Sequence, residues 1–164
     1  MIGSGRPYSV NFVAVSVTVQ QDMIYIKPAA DKITVVEAVY LSASGGTADA
    51  SDAQEELYDI ELIRVPATVT ASSGGGTMTP NPLLANDTAY GGTARINDTT
   101  KATTSGTLKV LHADGMNSRV PYAFVPPPEH RPVVANAEAI VFRLNTTPAD
   151  AILLSGTMYI REMP

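Results

Sequence analysis

The sequence predicts an all-β protein, a jelly-roll-like β-sandwich of about eight strands. Two observations carry this. Apolar residues alternate with polar ones in runs of five to twelve residues, and Gly, Pro, Asn and Asp recur between the runs. Crossover helices, which a parallel α/β sheet needs, are missing from the pattern. The absence of an internal repeat disfavours propellers and solenoids.

Taken in order, Tyr8 to Val19 (YSVNFVAVSVTV) is a strand of high β-propensity. Its alternation places Val13, Val15, Val17 and Val19 on one face, with Phe12, Ala14, Ser16 and Thr18 on the other. Gln21-Asp22 offers a turn, and Met23 to Lys27 a second strand that Pro28 stops. Ile33 to Leu41 is apolar on both faces apart from Glu37, which suggests a central strand covered on both sides. Ser42 to Ser51 reads as a small-residue loop. Ser51 and Gln54 have capping-box spacing, so a helical turn is expected over 52–56.

Leu57 to Val65 is the next strand. Pro66 interrupts it, and Ala67 to Ala71 reads as an edge segment, where proline is tolerated. Ser72 to Pro82 (SSGGGTMTPNP) has the composition of a surface loop. Leu83 to Asn97 is weakly patterned, with a turn at Gly91-Gly92, and Asp98 to Gly106 is polar loop. Thr107 to Ala113 is a strand, and Asp114-Gly115 signals a turn. Ser118 to Val125 is a further strand, which Pro121 pushes toward an edge or a bulge. Pro126, Pro127 and Pro128 force an extended, polyproline-like arm as far as Pro132. Glu138 to Leu144 and Ile152 to Glu162 are the last two strands.

The whole chain, 1–164, reads as one sandwich domain with an extended N-terminal segment and the proline-rich arm at 126–132. Its 17.3 kDa is enough to bury about 70% of the unfolded surface, so a core forms without staples. Only 16% of residues are charged, against about 25% in an ordinary soluble domain. That fits neutral surfaces, some covered by partners.

The net charge of −5 and the scattering of the 11 basic residues argue against nucleic acid, whose phosphates need clustered Lys and Arg. No run reaches the 18 or so apolar residues of a membrane span. Val10 to Val19 is broken by Asn11, Ser16 and Thr18, so a strand is a better reading than a signal-peptide core. Without a secretion signal, the Asn-x-Thr sequons at Asn86, Asn97 and Asn145 carry little weight. The chain has no cysteine, which excludes disulfides, thiolate metal sites and cysteine nucleophiles.

Catalytic constellations are sparse. His112 and His130 are the two histidines, fewer than the three or four ligands a zinc site takes. His112 reads as a structural or surface residue. His130, between Glu129 and Arg131, reads as a solvated loop residue or a partner contact. No Gly-x-Ser-x-Gly elbow is present. Asp59 and Glu61 share one face of a strand, a placement conceivable for a glycosidase pair but better read as a solvated face. Gly74-Gly75-Gly76 lacks the Lys-Ser/Thr and helix of a phosphate loop. The Asp49 to Asp52 stretch lacks EF-hand spacing. No cofactor and no metal are expected, and an enzyme is disfavoured.

Several segments together carry a resemblance: the opening YSVNFVAVSVTVQQDMIYIKPAADKITVVEAVYLS, the polar DAQEE leading to LYDIELIRVPATVT, SSGGGTMTPNPLLANDTA, PPPEHRPVV and the final ILLSGTMYIRE. The chain resembles small structural proteins of tailed bacteriophages and prophages, of the capsid decoration or cement kind. The resemblance covers nearly the whole chain and contains no catalytic motif. It implies a virion protein on the capsid exterior, a homotrimer that binds the major capsid protein and links neighbouring subunits.

Low charge suits such a role, because interface cores are depleted in Lys, Glu and Asp. The candidate partner contacts are Arg6, Pro7 and Tyr8 in the N-terminal segment (1–8), and Pro126, Pro127, Pro128, His130 and Arg131 in the arm. The alternative is a receptor- or glycan-binding head-fibre or tail module, with Tyr25, Tyr40, Tyr90 and Tyr122 as stacking residues. A β-sandwich hydrolase built on His112 is a third, weaker reading.

Overall fold

In the computed structural model, residues 5–44 and 56–164 are described. Of the turn expected over 52–56, residues 52–55 and the cap Ser51 lie outside them, as do residues 1–4. The described chain is antiparallel β-structure with a single 3-10 turn, Pro128–His130.

Eight strands build the sandwich: β1 (Arg6–Val17), β2 (Gln21–Lys27), β3 (Ile33–Ala43), β4 (Leu57–Val65), β10 (Lys109–Asn117), β11 (Tyr122–Phe124), β13 (Ala139–Leu144) and β14 (Ile152–Met163). They pair in a nested series: β4 with β10, β3 with β11, β2 with β13, and β1 with β14. The first sheet runs β11-β3-β14-β1 and the second β10-β4-β13-β2. Between the sheets lies one apolar core. Tyr8, Val10, Phe12, Leu41, Met158 and Ile160 enter from the first sheet, and Ile24, Ile26, Ile60, Leu62 and Phe142 from the second.

The valine row expected on β1 is corrected by a bulge. Between the pairs Phe12–Gly156 and Val15–Leu154, two residues of β1, Val13 and Ala14, stand against one of β14, Ser155, and Ala14 adopts φ 50°. The extra residue exchanges the two faces at mid-strand. Tyr8, Val10 and Phe12 are buried before the bulge and Val17 after it, while Val13 is 75% exposed.

Residues 66–108, between β4 and β10, form an excursion that wraps the sandwich. It holds β5 (Val69–Thr70), β6 (Gly76–Met78), β7 (Asn81–Pro82), β8 (Thr93–Asp98) and β9 (Thr103–Thr104). Strand β8 extends the second sheet beyond β2, β6 pairs with β8, and β7 pairs with β1 of the first sheet. The loop expected over Ser72–Pro82 therefore contains two short strands. The β5–β9 pair covers the outer face of the second sheet, where Tyr25, Ile63, Val65 and Val141 meet Val69, Ala102 and Leu108. This cover explains why β13 is buried at every position and β2 at all but Lys27. The doubly covered strands are thus β2 and β13 rather than β3, whose Tyr40 is exposed on the open side.

Buried charge pins the cover down. Arg143 Nε donates to Asp22 Oδ1 at 2.6 Å, and Asp22 Oδ2 accepts from the Ala102 amide at 2.7 Å. Asp98 takes two bonds from Arg95, at 2.8 Å each, one from Ser72 Oγ at 2.6 Å and one from the Gly75 amide at 2.9 Å. Burial alone would raise the Asp98 pKa, but these hydrogen bonds outweigh it and hold the carboxyl below the usual range. Gly75 sits so close to β8 that a Cβ would lie 2.2 Å from the Ile96 carbonyl oxygen.

The turn expected at Asp114-Gly115 is not made. Strand β10 runs through it to Asn117, because Met116 is buried opposite Tyr58.

Candidate functional site

The arm turns back on itself rather than extending. Pro127 has polyproline-like angles (φ −59°, ψ 156°), but Pro128–His130 closes a 3-10 turn, with the His130 amide bonded to the Pro127 carbonyl at 2.9 Å. The chain then returns as β12 (Val133–Val134), which pairs with β3 below β11.

The turned arm forms one wall of a groove, and the opposite wall is β10, the edge strand of the second sheet. The cavity is ≈ 670 Å³. Its apolar lining comes from Leu111, Phe124, Val125, Pro126, Pro127 and Val133. Both histidines of the chain line it. The His112 ring lies 4.4 Å from Phe124, tilted by 37°, and its Nε2 is 3.9 Å from Asp114 Oδ2.

Two guanidiniums at the rim are tied back. Arg64 Nη2 donates to the Val133 carbonyl at 2.7 Å, and Arg64 Nε is 3.6 Å from Glu138. Arg131 Nη1 donates to Glu37 Oε1 at 3.0 Å, an oxygen that also accepts from Arg161 Nε at 2.9 Å. The groove therefore offers polar as well as apolar contact. His112 has an acid beside it, but no hydroxyl side chain lines the groove. Among the described residues, no three His, Cys, Asp or Glu side chains gather as a metal site.

Of the arm residues singled out in the sequence, Pro126, Pro127, His130 and Arg131 line the groove. Pro128 is exposed at the turn outside it. The N-terminal candidates lie elsewhere, at the start of β1, which β14 and β3 separate from the arm's strands. Arg6 is exposed and bonds Thr88 Oγ1 at 2.6 Å. Pro7 accepts from the Leu83 amide at 3.0 Å. Tyr8 is corrected: it is a core residue, fully buried, with its hydroxyl on the Thr88 carbonyl at 2.8 Å and its ring edge-on to Tyr90. Its burial next to Glu162 raises the phenol pKa. As a core residue it offers no surface to a partner.

Sequence reading missed the β10 wall. The available signal was the run Val110-Leu111, which breaks alternation. Leu111 is the extra residue of a bulge between Val110 and His112, and both apolar side chains stay exposed.

A second surface stands beside the groove, the outer face of the first sheet. Strands β1, β3 and β14 carry only four charged residues, Arg6, Glu37, Arg161 and Glu162, and Glu162 is buried. Along β14 every second residue is half-buried on this open side, and Tyr40 and Tyr159 meet edge-to-face at 6.1 Å.

Comparison with protein families, with curated proteins and with solved structures finds no match to this chain.

Proposed function

We propose that this is a non-catalytic structural protein of a phage virion, a decoration or cement protein. It binds the outside of the capsid as a homotrimer and links neighbouring major capsid subunits. The observation that carries the reading is the open face of the first sheet: broad, nearly free of charge and only half-buried. Such a face has the composition of an interface awaiting a neighbour. The groove at its edge adds exposed valine and proline, and the turned arm needs little further ordering to bind. Support also comes from the nested strand pairing, which is the order of a jelly roll, and from the resemblance stated above. A trimer would turn three weak contacts into one tight attachment.

Mass-resolved light scattering of the purified protein, with and without empty capsids, tests this. The expected result is a stable trimer that co-sediments with capsids in near-stoichiometric amount, and undecorated capsids that burst at lower temperature. A monomer that ignores capsids sinks the reading. The groove would then be examined as the site of a receptor- or glycan-binding module, by glycan-array screening.

A further inference from the structure

Strand β10 ends the second sheet, and among the described residues no strand lies beyond it. The other strands that end a sheet, β6, β7, β11 and β12, have two or three residues each, whereas β10 has nine. Short edge strands are one way proteins avoid unwanted pairing, so a long one at the lip of a groove needs a reason.

The register shows which groups of this edge are free. The Asp59 carbonyl accepts from the Asn145 amide at 2.8 Å, and the Asp59 amide donates to Thr146 Oγ1 at 2.8 Å, so the Asp59 main chain faces away from β10. Main-chain direction alternates along a strand, and Tyr58, Ile60 and Leu62 therefore face β10. They pair with Met116, Asp114 and His112. The main chain of the residues between, Ala113 and Gly115, points outward. Asp114 Oδ1 takes up the Gly115 amide at 2.8 Å. The amide and carbonyl of exposed Ala113 are left to an outside partner.

The side chains alternate too. His112 and Asp114 share the face of buried Met116 and line the groove. A strand added to β10 places the residue opposite Ala113 outward and its two neighbours inward, beside His112 and Asp114.

Charge says what those neighbours are. The lining has two arginines and two histidines against one acid, Asp114, in a chain of net charge −5. Lys109 stands opposite Arg64 at the His112 end of β10. The arm does not satisfy the guanidiniums. Arg64 and Arg131 each keep a buried Nε with no hydrogen-bond partner, and among the described residues Arg64 Nη1 and Arg131 Nη2 carry no bond either. Glu37 is shared between Arg131 and Arg161. A planar fork with unused donors suits a carboxylate.

We infer that the groove receives an extended acidic segment of a partner protein, which joins β10 as an added strand. Its main chain bonds Ala113. Of its inward side chains, a carboxylate lies on the His112 side, toward the arginines. An apolar one lies beside Asp114, where a second acid would be repelled. Leu111, Phe124, Val125 and the prolines hold the apolar residues. The inference stands whether or not the open face of the first sheet meets a capsid.

Titration of the isotope-labelled protein with an end-capped heptapeptide, Thr-Val-Thr-Glu-Thr-Val-Thr, tests this by NMR. The Ala113 amide should shift and become protected from exchange, with accompanying shifts at Phe124 and His130. The peptide with Gln in place of Glu should bind roughly tenfold more weakly. Arg131→Gln should abolish that preference, since Glu37 keeps Arg161. Ala113→Pro removes the outward N–H and no bond to β4, so it should melt like the wild type and lose the peptide. No shift at Ala113 up to about 1 mM peptide overturns the inference. So does equal binding of the Glu and Gln peptides, or undiminished binding to folded Ala113→Pro.

Discussion

The two sheets of the sandwich face the outside differently. The second sheet carries its own cover, residues 66–108, and beneath it lie Tyr25, Val141, Ile63 and the Asp22–Arg143 pair. Among the described residues the first sheet has no such cover along β14, where buried and half-buried residues alternate over the strand's whole length. A sheet that brings its own lid can use strands apolar on both faces and can bury charge against the lid. A sheet left open must alternate, and its neutral outer residues remain available to another molecule. The difference places the molecule's own cover on one side and leaves the other for the capsid partner proposed above.

The contrast breaks most severely at the buried charge. Asp22→Ala leaves Arg143, whose side chain is 7% exposed, without its carboxylate. Loss of one partner of a buried pair should destabilise by about 3–5 kcal/mol, read by urea unfolding. Next comes Gly75→Ala, which pushes the cover away from β8. The expected loss is about 1–3 kcal/mol, together with faster amide exchange at position 75 and at Ala102.

Acid is gentler. The folded pKa of Asp98 is lowered, so its contribution is complete above the ordinary aspartate pKa of about 3.9 and disappears as pH falls through the folded value. Stability should therefore hold from neutrality to about pH 4 and drop below it. Asp98→Asn should flatten that drop, as followed by thermal melts across the acid range. The smallest effect on folding belongs to the open face. Val13→Thr and Tyr40→Ser should each change stability by no more than about 0.5 kcal/mol. The same variants should weaken trimerisation or capsid attachment in co-sedimentation. A Tyr40 variant that destabilised the isolated chain as much as Asp22→Ala would erase the distinction between the sheets.

The strands of the sandwich were more legible than the cover. The alternation of β14 and the runs of β4 and β13 are visible in sequence because each strand follows its own period. The cover was not. Ser72 to Pro82 has little β-propensity, and its strands are held by bonds from distant groups, notably Asp98 to Gly75 and Ser72. Asp114-Gly115 looks like a turn, and Asp114 does accept the Gly115 amide at 2.8 Å. The strand continues regardless, because pairing with β4 and burial of Met116 outweigh that local bond. On β1, four valines at even spacing concealed a bulge, and the larger Tyr8, Val10 and Phe12 set decided which face is buried. At the groove, the PPPEHRP segment announced the arm. His112 could not be placed beside it until β10 and β11 were known to face one another.

The nesting of the strands also bears on how the chain is made. Arg6 at the start of β1 is opposite Glu162 near the end of β14, and β1 has only the two-residue contact with β7 on its other side. During synthesis, therefore, β1 waits with an unpaired edge while nearly everything after it is translated. Pairings so distant in sequence place folding in the slow range of roughly milliseconds to seconds. A growing chain of this protein is thus most exposed to aggregation just before β14 arrives, and β14 is the strand whose late delivery closes the sheet.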